Sequence, residues 1–422
     1  MVRVRLLPSP CCFFDEPVYV QVDGLSPYQK VELRSNLRDD KGVIFRASSV
    51  YKADATGQVD LCRSPSLGGS YTGVEPMGLF WAMAPETPHS KMLKNNVLSS
   101  IMVNIDVLHG DTGELLATAT NERRFMTEGA RRILLGLKEG RIQGVLFLPP
   151  GQGPFPGVLD VYILGGGLSE VRASLLANKG FVVLALAYYG YQDMPRNVPK
   201  HFDLEYFEEA ITFLRRQPQV SGGRRAGVEV VIRLVIGDLA LSMASFLSGI
   251  SATAWINGSN ANIMTPLHYK DIIIPPLMPI LENITLLPSG HVDARDTIPD
   301  PDTEGNRGSL IPIEHSSSRF LFAVSEDDRN WNSLFAQQAA ARKRHHGKEN
   351  FEVVTYPRAG HFLEVPYMPN CPSRFHAALG KVMVFGGEVK AHHEAQLDLW
   401  RRVQEFFRKH LKDSNTGQKA RL

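Results

Sequence analysis

Val228-Glu-Val-Val-Ile-Arg-Leu-Val-Ile-Gly-Asp-Leu-Ala-Leu-Ser-Met-Ala-Ser-Phe-Leu247 reads as a short apolar strand running straight into a helix. A tight strand-to-helix turn is where an α/β sheet can present a nucleophile, usually as Gly-x-Ser-x-Gly, because the flanking positions must be small. Here the corresponding span is Ile232-Arg-Leu234-Val-Ile236, followed by Gly237. Leu234 occupies the nucleophile position, and isoleucines flank it. Ser242, Ser245 and Ser248 lie further on, in the helix rather than the turn.

Outward from this stretch the chain alternates buried strands with helices. Gly144 to Pro150, Phe155 to Leu164, Phe181 to Ala187, Arg319 to Val324 and Phe351 to Tyr356 are apolar runs of strand length. Leu168 to Lys179 and the amphipathic stretch Leu204 to Arg216 read as helices. The pattern predicts a mostly parallel sheet with helices on both faces. Residues 1 to about 125 read differently. Pro17–Val22, Val31–Leu37, Ile44–Tyr51 and Ile101–Leu108 alternate or end at Asp/Gly turns, as the strands of a β-sandwich do.

Two further residues fit the chemistry of the turn. In a hydrolase of this kind the order along the chain is nucleophile, acid, histidine. Asp328 follows the strand Arg319–Val324, with its neighbour Asp327 as the alternative acid, and His361 follows Phe351–Tyr356 in Ala359-Gly-His361. Gly165, Gly166 and Gly167 follow an earlier strand, where backbone N–H groups could form an oxyanion hole. Leucine has no lone pair to attack with and no proton for His361 to remove.

At 422 residues, the chain suits two domains, and its 43% apolar and 21% charged content is that of a globular protein. A formal charge of +2 argues against a nucleic-acid partner. The basic run Arg342 to His346 reads as a solvated helix C-terminus. Cys11, Cys12, Cys62 and Cys371 show no zinc or disulfide spacing, and neither a metal nor a cofactor is expected. No apolar run reaches the length of a membrane span. The polar tail ends in Ala420-Arg421-Leu422, a small-basic-leucine tripeptide of the type read by the peroxisomal import receptor; the alternative location is cytoplasmic.

Several motifs together resemble one family, the acyl-CoA thioesterases that share a fold with bile acid-CoA:amino acid N-acyltransferase. They are Asp15-Glu-Pro-Val18, Leu67-Gly-Gly-Ser-Tyr71 with Pro76-Met-Gly-Leu-Phe-Trp81, Arg172-Ala-Ser-Leu-Leu-Ala177, Ala185-Leu-Ala-Tyr-Tyr189, Asp203 to Ala210, Leu241-Ser-Met-Ala244, Ala359-Gly-His361 and Phe385-Gly-Gly-Glu388. The resemblance implies an α/β-hydrolase fold, with a mostly parallel sheet and helices on both faces, carrying an N-terminal immunoglobulin-like β-sandwich. The expected division is a sandwich over residues 1–128, a hydrolase domain over 129–412 and a tail over 413–422. It also implies a fatty acyl-CoA substrate, an acyl-enzyme intermediate, release to water or to an amino acid, His361 as base, Asp328 as its orienter and Leu234 on the family's Ser/Cys. The departure from the family pattern is confined to Glu229 through Ile236. A chain of this family without its nucleophile could alternatively serve as a non-catalytic acyl-CoA or fatty-acyl binding protein.

Overall fold

The computed structural model describes residues 1–136, 140–161, 166–221, 230–234, 237–376 and 379–412. In the N-terminal part, Leu115–Arg124, Ile101–His109, Lys30–Arg38 and Ile44–Lys52 lie side by side as antiparallel neighbours. A three-stranded sheet of Arg3–Leu7, Tyr19–Asp23 and Val59–Asp60 accompanies them. Successive side chains of a strand point to opposite faces. Val31, Leu33 and Leu37 therefore point inward with Ile101, Val103, Ile105 and Val107, and Val20 and Val22 of the smaller sheet join the same core. This is the expected β-sandwich. Arg3–Leu7, to which no strand was assigned from sequence, adds an edge by pairing with Tyr19–Asp23.

The second sheet has eight strands: β1 (Arg131–Leu135), β2 (Gln143–Leu148), β3 (Gly157–Val161), β4 (Val182–Ala187), β5 (Val230–Leu234), β6 (Ile250–Ile256), β7 (Arg319–Ser325) and β8 (Phe351–Tyr356). Their spatial order is β1-β2-β4-β3-β5-β6-β7-β8. The β1–β2 and β2–β4 pairs are antiparallel, and every pair from β4 to β8 is parallel. This is the α/β-hydrolase architecture.

Helices α1 (Val171–Asn178), α2 (Leu204–Arg215), α3 (Gly237–Phe246), α4 (Leu334–His345) and α5 (Val389–Lys412) cover the sheet. Alternate residues of each strand feed opposite faces. Val145, Val158, Val183, Ala254 and Leu321 pack with α1 and α5. Their neighbours Leu146, Leu159, Leu184, Trp255 and Phe322 pack with α2, α3 and α4. Period-2 alternation with apolar residues at both phases is the reason these strands read as unbroken apolar runs. The α1/α5 core continues without a break into the sandwich core.

Local rules account for several boundaries. The Asp203 side chain accepts from the Glu205 N–H at 3.0 Å and caps α2. The helix expected from Leu168 begins only at Val171, and the basic run Arg342–His345 forms the last turn of α4 but is not wholly solvated, since Lys343 is buried and donates to the Ile313 carbonyl at 2.9 Å. Residues 257–318, which carried no sequence expectation, supply small strands. Leu267–Tyr269 pairs with Phe202–Asp203 on one side and Ile272–Ile274 on the other, and Thr285–Leu286, Val292–Asp293, Lys381–Val384 and Ser373–His376 form a second small sheet in that order. All four cysteines are free thiols. No described helix is long and apolar enough to cross a membrane. The tail that ends in Ala420-Arg421-Leu422 lies outside the described residues.

Candidate active site

In an open α/β sheet, ligands gather beyond the carboxyl ends of the strands, and the candidate residues lie there. Leu234 is the last residue of β5, paired with Val161 of β3 and Trp255 of β6. Helix α3 opens at Gly237, so only Val235 and Ile236, which lie outside the described residues, separate strand from helix. The strand–turn–helix element is therefore present with leucine at its strand end.

Asp328 sits three residues beyond β7 and His361 five beyond β8. His361 Nδ1 lies 2.9 Å from Asp328 Oδ2. Asp328 Oδ1 accepts from the backbone N–H groups of Asn330 at 2.7 Å and Trp331 at 3.0 Å. The acid side chain is 2% exposed and the histidine 12%. A carboxylate only accepts, so Nδ1 carries the proton and Nε2 is left as the basic nitrogen. Asp327, the alternative acid, points elsewhere. It accepts from Arg329 Nε and from the Gly387 N–H, each at 2.8 Å.

The loop carrying His361 is fastened from several sides. The Gly360 N–H donates to His392 Nδ1 at 3.0 Å, and His392 Nε2–H donates to the Phe362 carbonyl at 2.9 Å. The histidine therefore works as a neutral clamp from α5. Burial pulls its pKa down to about 4, against the opposing pull of the Phe362 carbonyl. Asn257, just past β6, donates to the His361 carbonyl at 2.8 Å and to Ser325 Oγ at 3.0 Å. A Cβ on Gly360 would run into the Gly386 carbonyl, so the Ala-Gly-His and Phe-Gly-Gly-Glu motifs are two sides of one close backbone approach. The imidazole packs against Phe362 and Phe385, with ring centroids 4.9 and 5.7 Å away.

The glycine loop after β3 is only partly as expected. Gly165 lies outside the described residues. Gly166 has φ +71° and sits under the Tyr189 ring, 2.6 Å from where its Cβ would be, so only glycine fits. The Gly167 N–H already donates to the Tyr189 carbonyl at 2.8 Å, which corrects its expected place among the oxyanion donors.

Sequence reading also passed over Asp238 in the first turn of α3. Burial raises its carboxyl to about 6, although the Leu239 N–H bonds to it at 2.9 Å. His392 and Asn257 were missed too. Their only trace in the sequence is polarity at positions that helix and strand periodicity place inside. Among the described residues no group of three metal-ligating side chains is gathered.

An acid–histidine pair at the carboxyl edge of this sheet defines a protein of the α/β-hydrolase class. Residues 15–136 match the family model "Acyl-CoA thioester hydrolase/BAAT N-terminal region", and residues 202–413 match "BAAT / Acyl-CoA thioester hydrolase C terminal". The chain is 47% identical over 423 aligned residues to acyl-coenzyme A thioesterase 5 of Mus musculus, covering 99% of each chain. It is 46% identical to acyl-coenzyme A thioesterase 1 of Rattus norvegicus, again over 99% of each. It is also 46% identical to mitochondrial acyl-coenzyme A thioesterase 2 of Homo sapiens, over 96% of this chain and 84% of that one. The chain belongs to the acyl-CoA thioester hydrolase/BAAT family.

Proposed function

We propose that this chain is an acyl-CoA thioesterase-type protein that takes fatty acyl-CoA thioesters and whose acyl-enzyme step is interrupted at Leu234. One observation carries the reading: the Asp328–His361 pair is fully assembled while the β5 turn ends in a hydrocarbon residue. In the family chemistry a Ser or Cys would attack the thioester carbonyl as His361 takes its proton. The C–S bond would break, the CoA thiol would leave with that proton, and water or an amino acid would release the acyl group. Asp328 orients His361 in this scheme, and Gly166 is the described glycine of the loop assigned to the developing oxyanion. Leucine offers neither the electron pair nor the proton, and a triad without its nucleophile retains only binding and oxyanion stabilisation.

The non-catalytic reading, an acyl-CoA or fatty-acyl binding protein on the same scaffold, is favoured by that same leucine. We assign the tail tripeptide Ala420-Arg421-Leu422 to the peroxisomal import receptor.

The test pairs calorimetric titration of palmitoyl-CoA with thiol-release kinetics on the unaltered chain. Binding without turnover is expected. Turnover abolished by His361→Ala would reveal another nucleophile, and absence of binding would overturn the acyl-CoA reading.

A further inference from the structure

A cavity of about 290 Å³ opens where the sandwich meets the glycine loop and the His361 loop. Gly166, Gly167 and Glu364 are among its lining residues, and Lys41, Lys91, Lys94 and Arg374 supply four cations to it. Two of these cations are matched within the protein. Lys91 Nζ pairs with Glu364 at 2.5 Å and sits 4.6 Å from the centre of the Phe362 ring. Lys94 Nζ is 1% exposed and pairs with Asp40 at 3.0 Å. The Asp40 carboxylate also accepts from the Asn95 and Asn96 N–H groups, which latches the segment bearing both lysines onto the turn that carries Lys41. Lys41 and Arg374 are exposed, and among the described residues neither is in an ion pair. Each comes from a different half of the chain.

Two cations with no ion pair among the described residues, at a cleft in the protein surface, attract a polyanion, because the low-dielectric protein around a cleft focuses the field. A guanidinium and an ammonium together suit phosphate oxygens. The same lining includes Gly166 and Gly167 of the glycine loop and Glu364, three residues beyond His361, so one ligand in the cleft can touch both loops and the cations.

We propose that this cleft seats the phosphate-bearing nucleotide end of coenzyme A, with Lys41 and Arg374 as its phosphate contacts and the pantetheine arm running past Gly166 toward His361. This inference rests on the acyl-CoA reading above. It makes the sandwich part of the binding site rather than a passive appendage.

The full-length chain is titrated with palmitoyl-CoA, palmitoyl-pantetheine, adenosine 3′,5′-bisphosphate and inorganic phosphate at fixed ionic strength. Lys41→Ala and Arg374→Ala are compared with the unaltered protein, after their melting temperatures are shown to match it. Each variant is expected to weaken palmitoyl-CoA and the bisphosphate about tenfold, as loss of a charge-assisted contact does, and to leave palmitoyl-pantetheine unchanged. Undiminished palmitoyl-CoA binding in both variants would overturn the subsite and leave the acyl-CoA reading standing. Bisphosphate bound through Lys41 and Arg374, with no binding of palmitoyl-pantetheine, would uphold the phosphate seat and overturn the acyl-CoA reading. Inorganic phosphate bound as tightly as the bisphosphate would overturn the nucleotide assignment.

Discussion

His361 Nδ1 stands 2.9 Å from Asp328 Oδ2, while β5, the strand that should present a nucleophile to the histidine, ends in Leu234. The two partners lie 33 residues apart. They are held by contacts that do not involve the β5 turn: Asn330 and Trp331 on the acid, and Asn257 and His392 on the histidine loop. None of these supports comes from residue 234.

That independence sets the catalytic prediction. Removing a triad nucleophile costs on the order of 10⁶ in kcat, so the unaltered chain should release CoA thiol no faster than its His361→Ala variant. Leu234→Ser alone should recover little, because isoleucines stand at positions 232 and 236, where a tight nucleophile turn takes small residues. The triple variant Leu234→Ser, Ile232→Gly, Ile236→Gly should gain activity, and His361→Ala on that background should abolish it. Thiol-release assays on the four proteins decide the matter.

Gly360→Ala should be severe for a residue that adds one methyl group. The new Cβ would meet the Gly386 carbonyl, part of a backbone with no room to retreat. A loss of about 1–3 kcal/mol is expected from such overpacking. A urea midpoint unchanged from that of the parent protein would show that the two loops are looser than described.

The buried histidines of α5 make stability depend on pH. Burial takes His392 and His393 from 6.5 down to about 4. Between those values the unfolded chain binds protons that the folded chain does not, so stability is full above about pH 6.5 and is lost as the pH falls toward 4. For His392 alone the effect approaches about 3 kcal/mol. His392→Gln, which cannot titrate, should reduce the difference in denaturant midpoint between pH 7 and pH 4.5. An unchanged difference would place the acid sensitivity elsewhere.

Location is tested with two fusions. A fluorescent protein at the N-terminus leaves Ala420-Arg421-Leu422 accessible and should give punctate peroxisomal signal, whereas one at the C-terminus masks the tripeptide and should not. The same diffuse pattern from both would remove the tail from the argument.

The amino-acid sequence by itself determined the architecture and the positions of the principal residues. Unbroken apolar runs such as Val182–Ala187 announced strands buried on both faces, and the alternation in Val31–Leu37 announced a half-exposed sandwich strand, because side-chain period follows directly from backbone geometry. Strand ends then located Leu234, Asp328 and His361. Only the tertiary structure shows that Asp328, and not Asp327, meets the His361 ring, since adjacent carboxylates on one turn point in different directions and sequence carries no record of direction. It likewise decided that the Gly167 N–H is already bonded, that His392 and Asn257 hold the catalytic loop, and that lysines near the sandwich share a cleft with Arg374. Each of these is a contact between residues distant in the chain, set by how the sheets and helices pack and not by any local pattern.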